Sequence, residues 1–212
     1  MVNPEHIKNF FRLLNEKEIS YVLPKNDGNL IPYAVEDEKD VDIIVAPKHY
    51  EKFLDTVLQA GFEWLPGESK KYFFLYKLRS DIYLRKDDAF FHAYEKLSCV
   101  TLTNMGLSKI PLDDAVQNYL WQNRIWDEKN CWWIADDKIA LLFLIVRSVF
   151  DKKFFRPIYI KEIELRKKFL DEPEFIALCE PVFFKYTSCL LALIKAGRYD
   201  EIREDYIRFC EY

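Results

Sequence analysis

Asp40-Val41-Asp42-Ile43-Ile44-Val45 is the stretch on which the reading of this chain turns. Val41, Ile43, Ile44 and Val45 are β-branched and apolar, the composition of a buried strand. Side chains i and i+2 of a strand share a face, so Asp40 and Asp42 stand side by side while Val41 and Ile43 point the other way. Two carboxylates that close repel unless a cation sits between them or one holds a proton. Divalent ions with oxygen ligands are the usual solution beside nucleoside triphosphates. The reaction that uses such a pair is in-line attack at phosphorus. The same pair also suits a charged loop that ends at Asp40, with Asp42 on a solvated edge. Glu16/Glu18, Glu36/Glu38, Glu162/Glu164 and Glu172/Glu174 share the spacing, but Asp40/Asp42 is the only Asp-x-Asp and enters an apolar run.

Upstream, Asn3 can cap a helix and Pro4 suits its first turn. Ile7, Phe10, Phe11 and Leu14 then give a helical stripe, which predicts a helix over residues 4–17. Residues 20–23 are β-prone and stop at Pro24, and residues 25–29 have the composition of a turn. Downstream, Pro47 opens a second helix with Tyr50, Phe53, Leu54, Val57 and Leu58 on one stripe, and Gly61 ends it. Residues 72–78, 79–84 and 99–103 read as strands. After Pro111 the period changes, predicting helices at 112–123, 137–150, 157–170, 174–196 and 199–210. The expected fold is therefore α+β, with a core over residues 1–104 and a helical C-terminal region over 105–212.

Composition narrows the function. The 212 residues carry 31 Lys+Arg and 35 Asp+Glu, a net charge of -4 that disfavours general binding of nucleic-acid backbone. The five glycines form neither a G-x-G-x-x-G nor a G-x-x-x-x-G-K-[ST] loop, which argues against Rossmann dehydrogenases and P-loop NTPases. The five cysteines are scattered and form no C-x-x-C, as expected of a reducing cytoplasm. The N-terminus is unlike a signal peptide. The apolar run from Ile139 to Val146 is too short to span a bilayer, so no membrane span is expected.

A helix, a short strand, a turn and a hydrophobic–Asp–x–Asp–hydrophobic strand followed by a helix resemble the core of the DNA polymerase β-like nucleotidyltransferase superfamily. The run Tyr21-Val22-Leu23-Pro24-Lys25-Asn26, a gap, then Asp40 to Val45 is similar to nucleotidyltransferase-fold proteins of bacterial surface-polysaccharide gene clusters. The resemblance covers residues 1–104 and, more loosely, the rest. It implies a nucleotidyltransferase-like mixed sheet flanked by helices. It also implies transfer of a nucleotidyl group from an NTP to a small-molecule or phosphosugar (glycan-precursor) acceptor. Asp40 and Asp42 would then hold Mg²⁺ or Mn²⁺. A third carboxylate, matched by Asp81, would complete the metal site and accept the proton of the attacking hydroxyl. Where the superfamily usually places Gly-Gly or Gly-Ser after the first strand, this chain has Pro24-Lys25-Asn26-Asp27-Gly28. Lys25 as a point charge and Asn26 as a donor would serve the phosphates there.

Two other readings compete. An Asp-x-Asp motif also binds nucleotide sugars in glycosyltransferases. A catalytically silent domain of the same fold, acting as a binding module or toxin–antitoxin component, would explain the missing glycine pair. Asp87 and Asp88, in reserve as third acids, have a turn composition; Asp81 itself also suits the start of a hairpin after Ser80. His6 and His49 read as surface residues and His92 as a half-buried helix residue, with a place lining the cleft as its alternative. Trp121, Trp126, Trp132 and Trp133 suit a junction between the two parts. Lys152, Lys153 and Arg156, with Phe154 and Phe155 between them, suit either a solvated helix end or a site for an anionic acceptor.

Overall fold

Asn3 caps the first helix, its side chain accepting the Glu5 N–H at 3.0 Å, and Pro4 fills the first turn of α1 (Pro4–Glu16). The predicted stripe of Ile7, Phe10, Phe11 and Leu14 is the buried face of α1. In this computed structural model, which describes residues 1–26, 30–37, 39–65 and 72–203, that face packs on a mixed sheet. Its strands are β1 (Tyr21–Val22), β2 (Val41–Val45), β3 (Glu63–Leu65), β5 (Ile82–Lys86) and β6 (Ala89–Tyr94). Their order is β1-β2-β6-β5-β3; β2 runs parallel to β6, and the other neighbours are antiparallel. Helix α2 (Tyr50–Gln59) follows a 3-10 turn at Pro47–His49 and ends before Gly61, whose φ of +83° suits a residue without a Cβ.

The remaining strands form β4 (Phe73–Phe74), β7 (Ser98–Thr103) and β8 (Gly106–Pro111), ordered β4-β8-β7, and a hairpin of β9 (Ile125–Asp127) and β10 (Trp132–Ile134). Residue 104, the expected boundary, lies in the turn between β7 and β8. The helices are α3 (Asp114–Asn123), α4 (Asp137–Val146), α5 (Pro157–Leu165), α6 (Pro173–Phe183) and α7 (Thr187–Lys195). The fold is α+β, a mixed sheet with flanking helices followed by a helical C-terminal region, as the sequence pattern predicts.

Several elements differ from the sequence reading. Phe90 to Tyr94, read as helical, is the β6 strand: Phe91 and Ala93 face α1 and α2 while His92 and Tyr94 face the other way. Aromatic residues fit a pleated, half-buried surface, and tertiary pairing decides the rest. The strands of residues 72–78 and 79–84 shrink and shift to β4 and β5. Helix 137–150 becomes α4 plus a π turn at Arg147–Lys152, which Lys153 ends with φ +61°. Helix 157–170 stops at Leu165, and a 3-10 turn, Lys167–Asp171, follows. Helix 174–196 breaks at Phe184, with φ +49°. Of helix 199–210, Tyr199–Glu201 forms a 3-10 turn, and residues 204–210 lie outside the described residues, as do residues 27–29 of the first turn.

Two cores flank the main sheet. Val41, Ile43 and Val45 join α1 and α2, with Phe10 stacked on Phe91 at 3.7 Å between ring centroids. Burial of each such side chain contributes roughly 1.5–3 kcal/mol. Val22, Ile44 and Tyr94 face the second core, built on α4 and the helices after it. Trp132, expected at a junction, is wholly buried in the first core against Phe11. By length and composition the run Pro173–Lys195 could cross a membrane, which the sequence reading did not anticipate. In this fold its Phe175, Cys179, Phe183, Leu190 and Ile194 are core residues.

Candidate active site

Strand alternation fixes where the acids point. Val41 and Ile43 face α1 and α2, so Asp42 shares the opposite face with Ile44, toward the C-terminal region. Asp40, the residue before β2, reaches the same place: its Oδ2 is 3.6 Å from His92 Nδ1, and Asp42 Oδ1 is 3.0 Å from that atom. Asp42 and His92 are register partners across the parallel β2–β6 pair. Asp42 is buried, whereas the Asp40 side chain is 39% exposed.

His92 is the hub. Its ring stacks on Tyr83 at 4.4 Å, and its Nε2 is 2.9 Å from Asp81 Oδ2. Burial opposes the charged imidazolium, yet hydrogen bonds to Asp42 and Asp81 raise its pKa to about 9. At neutral pH both ring nitrogens therefore donate, one to each carboxylate. Burial pushes Asp42 up, but the His92 hydrogen bond and the charges of Arg147 and Lys25 hold it below the usual carboxylate range. For Asp81, burial is likewise outweighed by His92 and by Lys109, with which it forms a short ion pair. Asp81 Oδ1 is buried and has no hydrogen-bond partner among the described residues.

Asp81 thus lies one imidazole ring away from Asp42 and does not join Asp40 and Asp42 around a common point. Among the described residues, the group that can hold an ion is Asp40, Asp42 and His92, whose ligand atoms lie within 4.8 Å of one another. Two oxygens and an imidazole nitrogen suit a divalent ion, and the nitrogen suits Mn²⁺ better than Mg²⁺. A ligating histidine generally donates its other N–H to a carboxylate, the place Asp81 occupies. The donor set fits such an ion once Nδ1 gives up its proton.

Cations stand beside the acids. Lys25 Nζ is 3.7 Å and Arg147 Nη1 4.0 Å from Asp42 Oδ2. Asp151 steadies Arg147: its Oδ2 is 3.5 Å from Nε, and its Oδ1 accepts the Val100 N–H at 2.9 Å, tying the π turn to β7. Burial raises the Asp151 pKa, partly offset by Arg147. Of the residues expected to meet phosphates, Lys25 faces the site. Asn26 has its amide occupied on both sides by the Ile31 backbone, a loop clamp.

Asp87 and Asp88 lie in the β5–β6 turn, where Asp88 binds His6 and the Asn3 N–H. His49 accepts the Ser20 N–H and is half-buried, not a plain surface residue. The sequence pattern offered His92 at the cleft only as the lesser reading, and it gave no sign of Lys109 or Arg147. The alternation of Phe90-Phe91-His92-Ala93-Tyr94 could have revealed a strand with His92 beside Tyr94; Lys109 and Arg147 carry no local signal.

Two solved structures of the antibiotic-resistance factor ANT(2'')-Ia resemble the chain. The solution structure covers 93% of this chain and 91% of its own at 7% identity and a TM-score of 0.49. The crystal structure in complex with adenylyl-2''-tobramycin covers 92% and 98% at 6% identity and a TM-score of 0.48. A likeness at this level assigns neither family nor activity. No protein-family model matches the chain, and no curated protein matches it.

Proposed function

We propose that the chain transfers a nucleotidyl group from an NTP to a small-molecule or glycan-precursor acceptor, in the cytoplasm, with a divalent metal at Asp40 and Asp42. The observation that carries this reading is the convergence of Asp40, Asp42 and His92 at the edge of a basic cleft. In this reading the 1–104 core supplies the acids, and the 105–212 region closes the site with Lys109 and Arg147. The resemblance of the Asp-x-Asp strand and its preceding helix to nucleotidyltransferases supports the same class.

Asp40, Asp42 and His92 Nδ1 would hold the ion, which when bound stabilises charge on the phosphoryl oxygens. Asp81 accepts the His92 Nε2–H and so fixes which nitrogen faces the acids. Lys25 and Arg147 place positive charge beside Asp42 where a phosphate chain would run. Asp81 was the expected proton acceptor, but His92 and Lys109 occupy its Oδ2. Asp40, the more exposed acid, would take that role in this reading.

One observation favours the silent binding module instead: Asp42 is already matched by His92, Lys25 and Arg147, and Asp81 by His92 and Lys109. Calorimetry with Mn²⁺ or Mg²⁺ and each NTP separates the two. Metal-dependent nucleotide binding, lost in Asp42→Asn, supports the enzyme. Absence of heat with every metal and nucleotide removes it.

A further inference from the structure

We propose that Arg147, Lys152 and Arg156 of the C-terminal region, with Lys25 from the β1–β2 connection, form a polyphosphate cradle that takes a di- or triphosphate ester by side chains in place of a glycine-rich loop. The location of the cradle stands by itself; that its ligand is a nucleotide rests on the function proposed above.

The cations converge from three segments. Lys25 Nζ and Arg156 Cζ lie 5.3 and 5.9 Å from the centre of one ring, that of buried Tyr159. Lys25 and Arg147 meet again at Asp42 Oδ2. Lys152 is the last residue of the π turn that begins with Arg147; burial lowers its pKa, the charges of Arg147 and Arg156 lower it further, and Asp151 opposes them before Lys25 adds its part. Among the described residues these four cations gather around Asp42 and Asp151, with Asp40 beside Asp42, and Asp42 is shared with His92. Like charges gathered this closely are costly to assemble, and an anion among them relieves that cost.

The backbone contributes to this placement. Arg147 to Lys152 is a π turn, a local widening found often at functional sites, and Lys153 closes it with φ +61°. A regular α-helix over these residues would rotate Lys152 relative to Arg147. Guanidinium forks suit phosphate oxygens bidentately, and a lysine serves as a mobile point charge. The chain has no glycine-rich loop to offer backbone N–H groups, so side chains must supply the recognition.

The test is calorimetry of the full chain in EDTA with sodium tripolyphosphate, pyrophosphate and orthophosphate. Affinity should fall in that order and weaken as KCl rises. Lys152→Ala and Arg156→Ala should each weaken tripolyphosphate binding by about tenfold or more, the scale of one lost charge-assisted hydrogen bond. Lys195→Ala removes the same charge from the exposed pair with Asp171 and should change nothing. Arg147→Lys, checked by thermal melting, tests the fork without loss of charge and should also weaken binding. ATP and UDP-glucose under the same conditions distinguish a triphosphate from a diphosphate source, both sensitive to Lys152→Ala. Equal affinity for the three inorganic anions, or unchanged binding in both alanine variants, overturns the cradle. Tripolyphosphate binding through these residues without nucleotide transfer at any metal would remove the proposed activity and leave the cradle standing. Transfer at wild-type KM in both variants would do the reverse.

Discussion

The two walls of the cleft are built on opposite principles. The acidic wall, with Asp40 and Asp42 at β2 and Asp81 before β5, rests on a sheet packed on both faces. Asp42 and Asp81 there meet named cations through His92, Lys25, Arg147 and Lys109. The basic wall rises from a π turn and a left-handed residue, and Lys152 and Arg156 reach solvent. The first wall is rigid and balanced, which suits holding an ion at fixed geometry. The second is partly exposed and cationic, which suits capturing an anion. Stability should therefore depend chiefly on the acidic wall, and binding of phosphates on the basic one.

The largest expected effect is on catalysis. Asp42→Asn keeps the shape of the side chain and removes its charge, and metal-dependent turnover of NTP should fall at least about 10³-fold. Steady-state assays with Mn²⁺ measure this; turnover at the wild-type rate would end the metal assignment.

Next comes His92→Gln, which leaves Asp42 and Asp81 without the cation between them. Loss of a buried partner of this kind should cost about 3 kcal/mol in urea denaturation at pH 6. A change within error would mean that the hub contributes nothing to the fold.

The same comparison has a pH signature. The folded pKa of His92, about 9, exceeds its ordinary value near 6.5, so the folded state holds this proton more tightly. Its stabilisation is complete below about pH 6.5 and fades as pH rises through about 9, for a total near ~3 kcal/mol. Melting curves of wild type and His92→Gln in EDTA should therefore converge between pH 6 and pH 10. Parallel curves would refute the charged hub. Asp42 acts in the opposite sense, since its lowered pKa makes its contribution fade on acidification.

The smallest effect belongs to the basic wall. Asp151→Asn can still accept the Val100 N–H but loses the charge beside Arg147. It should cost about 1 kcal/mol of stability. Tripolyphosphate affinity should stay equal or increase, because a competing carboxylate is gone. A drop in affinity would instead make Asp151 essential for aiming the guanidinium.

Much of the frame is legible from local pattern. The α1 stripe, the β2 run and the Gly61 stop follow from spacing and from backbone rules that act over a few residues. β6 was misread because Phe90 to Tyr94 suits a strand or a helix until β2 lies beside it. The break at Phe184 and the π turn were hidden for a related reason: both sit inside unbroken apolar periodicity.

By itself the sequence determined an α+β chain with a buried Asp-x-Asp strand, because strand alternation and hydrophobic period are properties of near neighbours. Only the tertiary structure decided what faces those acids. His92 lies 50 residues from Asp42, and Lys109 lies 28 from Asp81. Charges that far apart in the chain interact only after the sheet and the C-terminal helices have excluded water between them, and no local spacing records that.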